Sequence, residues 1–333
     1  MRALVIGGAG FVGHHLVTHL LETGWEVYAT KMPNEIMETS IKSYAESYAK
    51  NSDITSNKNS ANIVNLDILD AKACKKLLKE IHPQAVFHLA AQSSVAVSWK
   101  DSPLTMDVNI KGTLHLLEAL RELENKPRVL LIGSSEEYGN VSPEMLPISE
   151  TMPICPINPY AISKATQGMF GRMYADIHGL EVITTRSFNH IGPGQSETFA
   201  IPSFCKQIAE IEIGLRPPVL KVGNLSAKRD FTDVRDIVRA YETLIEKGKS
   251  GEVYNVGSGK ALAVQSLLDT IIGLSTAQVT VEQDPERMRP SDMPEIAADI
   301  KKLQQDTNWV PVYSIRDTLC DILEYWRKRL EVP

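Results

Sequence analysis

The chain has 333 residues, 43% hydrophobic and 23% charged, a balance that fits a globular enzyme with one or two cores. Its formal charge of −6 argues against broad binding to nucleic acid or an anionic membrane, so an anionic ligand must be held by a few local cations. Cys74, Cys155, Cys205 and Cys320 form no CxxC pair, no apolar run reaches the roughly 20 residues of a membrane span, and the first residues already read as a core strand. The expectation is a cytoplasmic protein with reduced thiols and no metal site.

In chain order, short apolar runs predict strands at Ala3–Ile6, Trp25–Thr30, Ile63–Leu66, Ala85–Leu89, Val129–Ile132 and Val182–Thr185. Several are apolar on both faces, the pattern of a parallel sheet covered by helices on each side. Helical spacing predicts helices over 11–23, 70–81, 103–123 and 159–178, between those strands. A polar stretch over 33–61 reads as an inserted helix plus a loop. Residues 139–158, with Pro143, Pro147, Pro153 and Pro156, read as an irregular connector leading to Pro159 and Tyr160. After Thr185 the alternation weakens, although Val253–Val256 reads as one more strand of the main sheet. The fold expected is α/β: a doubly wound parallel Rossmann sheet with a smaller, interleaved C-terminal α/β substrate domain. The boundaries expected are 1–185 with 230–262 for the dinucleotide-binding domain, and 186–229 with 263–333 for the substrate domain.

Gly7-Gly8-Ala9-Gly10-Phe11-Val12-Gly13 follows the first strand and opens a helix. Gly7, Gly10 and Gly13 permit a tight turn and close approach to a pyrophosphate, while the helix start around Phe11 and Val12 offers unpaired N–H groups. The second strand ends Thr30-Lys31, without the carboxylate that usually bonds a ribose 2′-hydroxyl. That end favours a 2′-phosphate and hence NADP(H), with NAD(H) the alternative if Lys31 is simply solvated. Asp67-Ile68 is placed for the adenine edge, and Leu89-Ala90-Ala91 for backbone approach to the cofactor.

Tyr160 and Lys164 lie one helical turn apart on one face. A phenol with a pKa near 10 is a weak acid–base catalyst at pH 7, and a neighbouring ammonium and a bound cationic nicotinamide would lower that value. Ser134, ending the fifth strand, is placed to bond a carbonyl or carbinol oxygen beside Tyr160.

Together GxxGxxG, Ser134, Tyr160 and Lys164 resemble the extended short-chain dehydrogenase/reductases, whose members epimerise, dehydrate or reduce nucleotide sugars. Later landmarks agree with that resemblance: Arg186-Ser-Phe-Asn189-His190, Arg229-Asp-Phe-Thr-Asp-Val, Tyr254-Asn-Val-Gly-Ser-Gly and Asn308-Trp-Val-Pro311. Within the family, Gly133–Gly139, Asn189–Ser196, Val222–Leu225 and Arg287–Ser291 resemble reductases that convert GDP-4-dehydro-6-deoxy-D-mannose to GDP-D-rhamnose. This implies protonation of a new C4 alkoxide by Tyr160, with Lys164 on the nicotinamide ribose and Ser134 on the C4 oxygen. It further implies Asn189, Arg229 and Arg289 as contacts for a GDP-sugar substrate, and His190 for the cofactor edge. Arginine suits that work through its paired bonds to phosphate oxygens. Asn189 could instead cap a turn, and Arg229 could pair with Asp230 or Asp233.

The competing reading is a GDP-mannose 4,6-dehydratase, because Glu136 stands two positions after Ser134, where such enzymes place a catalytic base. Against it, the segment after Asn189-His190 lacks further arginines, and Phe231-Thr-Asp233 follows Arg229-Asp230 in place of Trp-Gly-His. A 4-epimerase, and a cofactor-bound protein without catalysis, complete the alternatives. His14, His15 and His19 read as packing residues rather than metal ligands. Asn109 either fixes active-site backbone or is a satisfied buried polar group. Leu114, Leu117, Met169, Phe170 and Met173 exceed one core-facing stripe, and the resemblance implies a homodimer through the two helices carrying them.

Overall fold

The computed structural model describes residues 1–33, 60–287 and 294–331. Its central feature is a parallel sheet of seven strands: β1 (Arg2–Ile6), β2 (Glu26–Lys31), β3 (Asn62–Asn65), β4 (Ala85–His88), β5 (Arg128–Ser134), β6 (Glu181–Ser187) and β10 (Val253–Val256). The order β10-β6-β5-β4-β1-β2-β3 reverses direction beside β1, which opens a crevice at the carboxyl ends of β1 and β4. Register aligns these ends: Ile6 pairs with His88, His88 with Leu131, and Ser134 with Ser187. The double winding and the strand at 253–256 are as the hydrophobic runs predict.

Strands β1, β4 and β5 are almost wholly buried because helices cover both faces. One face packs on α1 (Phe11–Glu22) and on α8 (Val234–Lys247), where Leu16, Val17, Leu20, Ile237, Tyr241 and Leu244 are inaccessible to solvent. The other packs on α2 (Ala71–Ile81), on α5 (Gly112–Arg121) and on α6 (Pro159–His178) through Leu78, Leu116, Leu117 and Leu120. Each such side chain contributes about 1.5–3 kcal/mol by leaving water. Leu117 therefore belongs to the core and not to an outward stripe.

The helix expected over 103–123 is interrupted. After α3 (Val95–Lys100), α4 (Ser102–Met106) runs through a π-helical turn at Asp107–Lys111 into α5. The turn contains Asn109, fully buried and bonded to chain outside the helix, so local pairing yields to a tertiary demand. Most of the polar insertion at 33–61, including its expected helix, lies outside the described residues.

A third core joins α7 (Ala200–Glu212), β8 (Val219–Val222), α9 (Val264–Gly273) and α11 (Ile315–Glu331) through Phe204, Ile208, Leu220, Leu268, Leu319 and Ile322. Two small sheets border it. One holds β7 (Asn189–Ile191), β9 (Lys228–Asp233) and β11 (Ala261–Ala263); the other pairs β8 with β12 (Thr280–Gln283). Helix α10 (Lys301–Thr307) instead sends Leu303 back to the first core. No helix among the described residues is long and apolar enough to cross a membrane.

Candidate active site

Glycine is required at the β1–α1 turn by both conformation and space. Gly7 has φ +86°, and a Cβ on it would lie 2.7 Å from Ala90 N. A Cβ at Gly8 would lie 2.7 Å from Ala29 Cβ, and one at Gly13 would strike the Gly7 carbonyl. Gly8 is thus as constrained as its neighbours, although the GxxGxxG spacing does not single it out. Gly10 differs: it is exposed, and a Cβ there would meet nothing closer than 3.5 Å. It caps α1 without any side-chain bond to the first-turn N–H groups. An uncapped, open helix start fits a pyrophosphate, so the residues present suit a dinucleotide.

Several residues expected to bind the cofactor also hold this turn. The buried Thr30 hydroxyl accepts the Gly7 N–H at 3.0 Å. Leu89 and Ala90 both donate N–H to Ile6 O at 2.9 Å. Lys31 ends β2 opposite Asn65 of β3, with its ammonium 3.4 Å from Met32 O. Asp67 accepts the Leu69 N–H, while Ile68 is buried against Gly112. Across the crevice the His190 ring stacks on Phe11, 6.2 Å between centroids and 11° from parallel. Burial holds His190 below the usual histidine range, although its bond to Phe188 O works the other way. Asn189 is exposed at the start of β7.

The residues expected to transfer the proton lie at the end of β5 and in α6. Ser134 closes β5 and Tyr160 lies in the first turn of α6, where the serine side chain acts against the effect of burial on the phenol. Lys164 is 3% exposed and donates to Ile132 O at 2.7 Å and to Gln167 Oε1 at 3.1 Å. Burial pulls its ammonium down to about 8, opposed by the Glu137 charge. The phenol is pushed above its ordinary range by burial, which outweighs the opposing effect of Ser134. Among the chain's own groups desolvation dominates, and Lys164 is engaged with the β5 backbone; the nicotinamide charge expected to lower the phenol belongs to the bound cofactor.

Asn109 explains part of this order. Its amide donates to Gln92 O at 3.0 Å and to Ser163 Oγ at 2.8 Å, and its oxygen accepts the Gln92 N–H at 2.8 Å. Ser163 in turn donates to Tyr160 O at 2.7 Å. The loop after β4 is therefore tied to the turn of α6 that presents Tyr160.

Two adjacent glutamates point in opposite directions. Glu136 is exposed and accepts from Asn158 Nδ2 at 3.0 Å. Glu137 is 2% exposed, accepting the Ser134 N–H at 2.8 Å and Arg186 Nε at 3.1 Å. Sequence reasoning passed over Glu137; its signal is a charged residue in a segment otherwise destined for burial.

Arg229 donates to Lys228 O at 2.9 Å. Asp230 accepts from Ser258, Gly259 and Ala298, while Asp233 takes Arg235 and Thr318. Arg289 lies outside the described residues. The histidines of α1 serve packing: His15 meets Pro193 O at 2.9 Å, and His19 meets Glu242 at 2.6 Å.

The family model described as GDP-mannose 4,6 dehydratase matches residues 4–322. The chain belongs to that family, within the extended short-chain dehydrogenase/reductases. It is 36% identical to GDP-6-deoxy-D-mannose reductase of Pseudomonas aeruginosa over 79% of this chain and 86% of that one. It is 28% identical to GDP-mannose 4,6-dehydratase of Yersinia enterocolitica over 97% of this chain and 92% of that one. The solved structure of RMD from Pseudomonas aeruginosa complexed with NADPH superposes with a TM-score of 0.81 at 31% identity, covering 98% and 99% of the two chains. The protein is a nicotinamide-dependent enzyme acting on nucleotide sugars.

Proposed function

We propose that this enzyme reduces the C4 ketone of GDP-4-dehydro-6-deoxy-D-mannose to give GDP-D-rhamnose, with NADPH preferred over NADH. The observation that carries the reading is the bond from Asn158 to Glu136, which holds one oxygen of the carboxylate that a dehydratase would use as a base. The likeness to the Pseudomonas reductase supports it. The cofactor would be held by Gly7, Gly10, Phe11, Val12 and Gly13, with Thr30, Lys31, Asp67, Ile68, Leu89, Ala90, Ala91 and His190 around it. When bound, the nicotinamide supplies the hydride.

The chain's own residues provide the rest. Tyr160 gives its proton to the oxygen at C4, a step favoured because burial keeps the phenol protonated. Ser134 donates to the same oxygen. Lys164 contacts the nicotinamide ribose, and its charge offsets the phenolate left behind. Asn189, Arg229 and Arg289 take the GDP moiety, where guanidinium forks suit diphosphate oxygens.

A GDP-mannose 4,6-dehydratase is the second reading, and the position of Glu136 two residues beyond Ser134 favours it. Purified enzyme given GDP-mannose alone, then GDP-4-dehydro-6-deoxy-D-mannose with NADPH, separates them. The reductase oxidises NADPH only in the second mixture. A 4-keto product from GDP-mannose without net cofactor change would refute the assignment.

A further inference from the structure

The structure assigns Glu137 as a positioning residue, a buried carboxylate that aims Ser134 at Tyr160 and is itself anchored by Arg186. The inference rests on the reading that Ser134 and Tyr160 carry the chemistry. It holds equally for reduction or dehydration.

The geometry is closed on every side. Glu137 Oε1 accepts the backbone N–H of Ser134 at 2.8 Å, and Oε2 accepts Arg186 Nε at 3.1 Å. Burial raises the Glu137 carboxyl above its ordinary range, and the Arg186 charge with the bonds accepted from Ser134 and Arg186 opposes it, favouring the carboxylate. Its position is pinned from below as well: a Cβ on Gly133 would lie 2.5 Å from Glu137 Oε1, so only glycine leaves room. Arg186 is fixed in turn, its guanidinium 4.7 Å from the centre of the Tyr138 ring. Tyr138 donates to Asn255 at 2.7 Å, and Asn255 donates to Ile148 O at 2.8 Å. Strands β5, β6 and β10 thus converge behind one backbone N–H.

That N–H belongs to the residue whose side chain acts on the Tyr160 phenol. Burying an ion pair is a costly way to stabilise a fold, since desolvation consumes most of the attraction. A backbone acceptor for Ser134 needs only a neutral carbonyl. A carboxylate does more. It fixes the Ser134 backbone through a charge-assisted bond, and it acts on both members of the diad. Its charge holds the Lys164 ammonium up against burial and makes the Tyr160 phenol harder to ionise. The charged and titratable groups around it are Arg186 on β6, Lys164 and Tyr160 on α6, and Glu136 and Tyr138 on its own turn.

The test replaces the pair together, because Arg186 left alone would be a buried, unpartnered charge. Glu137→Leu with Arg186→Met substitutes an apolar pair, an exchange that buried ion pairs often tolerate. Thermal unfolding confirms the fold, and kcat and KM are measured in whichever of the two reactions the unaltered enzyme performs. The expected result is a fall in kcat of about 10- to 100-fold with KM within about twofold, as misplacement of a reacting group predicts. Glu137→Gln, which keeps an oxygen for the Ser134 N–H but not the charge, should recover part of that loss relative to the double variant. A folded double variant with unchanged kcat, or a Gln variant no better than the double, would overturn the assignment. Tyr160→Phe serves as the separate control. If that variant stays active, the catalytic reading itself is wrong; if it is inactive while both Glu137 variants work normally, only the role of Glu137 is.

Discussion

Asn158 donates its side-chain amide to the Glu136 carboxylate at 3.0 Å, while its own oxygen accepts the Ala161 N–H at 2.8 Å. One residue therefore caps the helix that carries Tyr160 and binds one oxygen of the carboxylate at issue between the two readings. The proposed reductase makes no use of Glu136 as a base. Glu136→Gln should leave NADPH-dependent reduction within about threefold of the unaltered enzyme, whereas loss of a general base would cost about 100-fold or more. Steady-state NADPH oxidation measures the difference.

The electrostatics of the diad set a pH dependence. Lys164 titrates near 8 because it is buried, and it carries its charge below that value. Tyr160 lies above its ordinary range and stays protonated throughout. Since kcat/KM reports groups of the free enzyme, it should fall as pH rises through about 8 and show no loss from Tyr160 over the neutral range. Lys164→Gln should remove that alkaline limb along with most of the activity. A stopped-flow or steady-state profile from pH 6 to pH 10 checks both.

Cofactor choice is expected to rest on Lys31. Thr30 is spent on the Gly7 N–H, which leaves Lys31 as the side chain at the end of β2 for a 2′-phosphate. Lys31→Glu should weaken NADPH by about tenfold or more, the effect of about 1.4 kcal/mol, while NADH changes little. Fluorescence titration of each cofactor reads this directly.

Helix α6 exposes Ile162, Met169, Met173 and Ile177, with Met169 60% and Ile177 69% exposed. Val97 and Trp99 on α3 and Leu104 on α4 are exposed as well. Apolar residues in such number on neighbouring helices fit the expected homodimer. Light scattering should give a dimer for the unaltered protein and a monomer for Met169→Glu, which would place a charge in the contact. A monomer in both cases refutes the expectation.

Much of this molecule was legible in the chain alone, for definite reasons. A glycine turn between an apolar run and a helical stripe has few other uses, and continuous apolar strands require helices on both faces. These determined the doubly wound sheet, the dinucleotide crevice and the Ser134, Tyr160 and Lys164 group. The helices after Thr185 were not read from the sequence, although Val234, Ile237, Val238, Tyr241 and Leu244 recur at helical spacing, because weaker strand alternation hides them. What the tertiary structure alone decided concerns polar groups. Sequence shows Glu136 and Glu137 as neighbours of equal charge; only packing sends one to solvent and Asn158, and the other to Ser134 and Arg186. Likewise only burial reverses the expected order of the diad, raising the phenol and lowering the ammonium. Periodicity reports which residues leave water, but hydrogen-bond partners and desolvation depend on contacts between segments far apart in the chain.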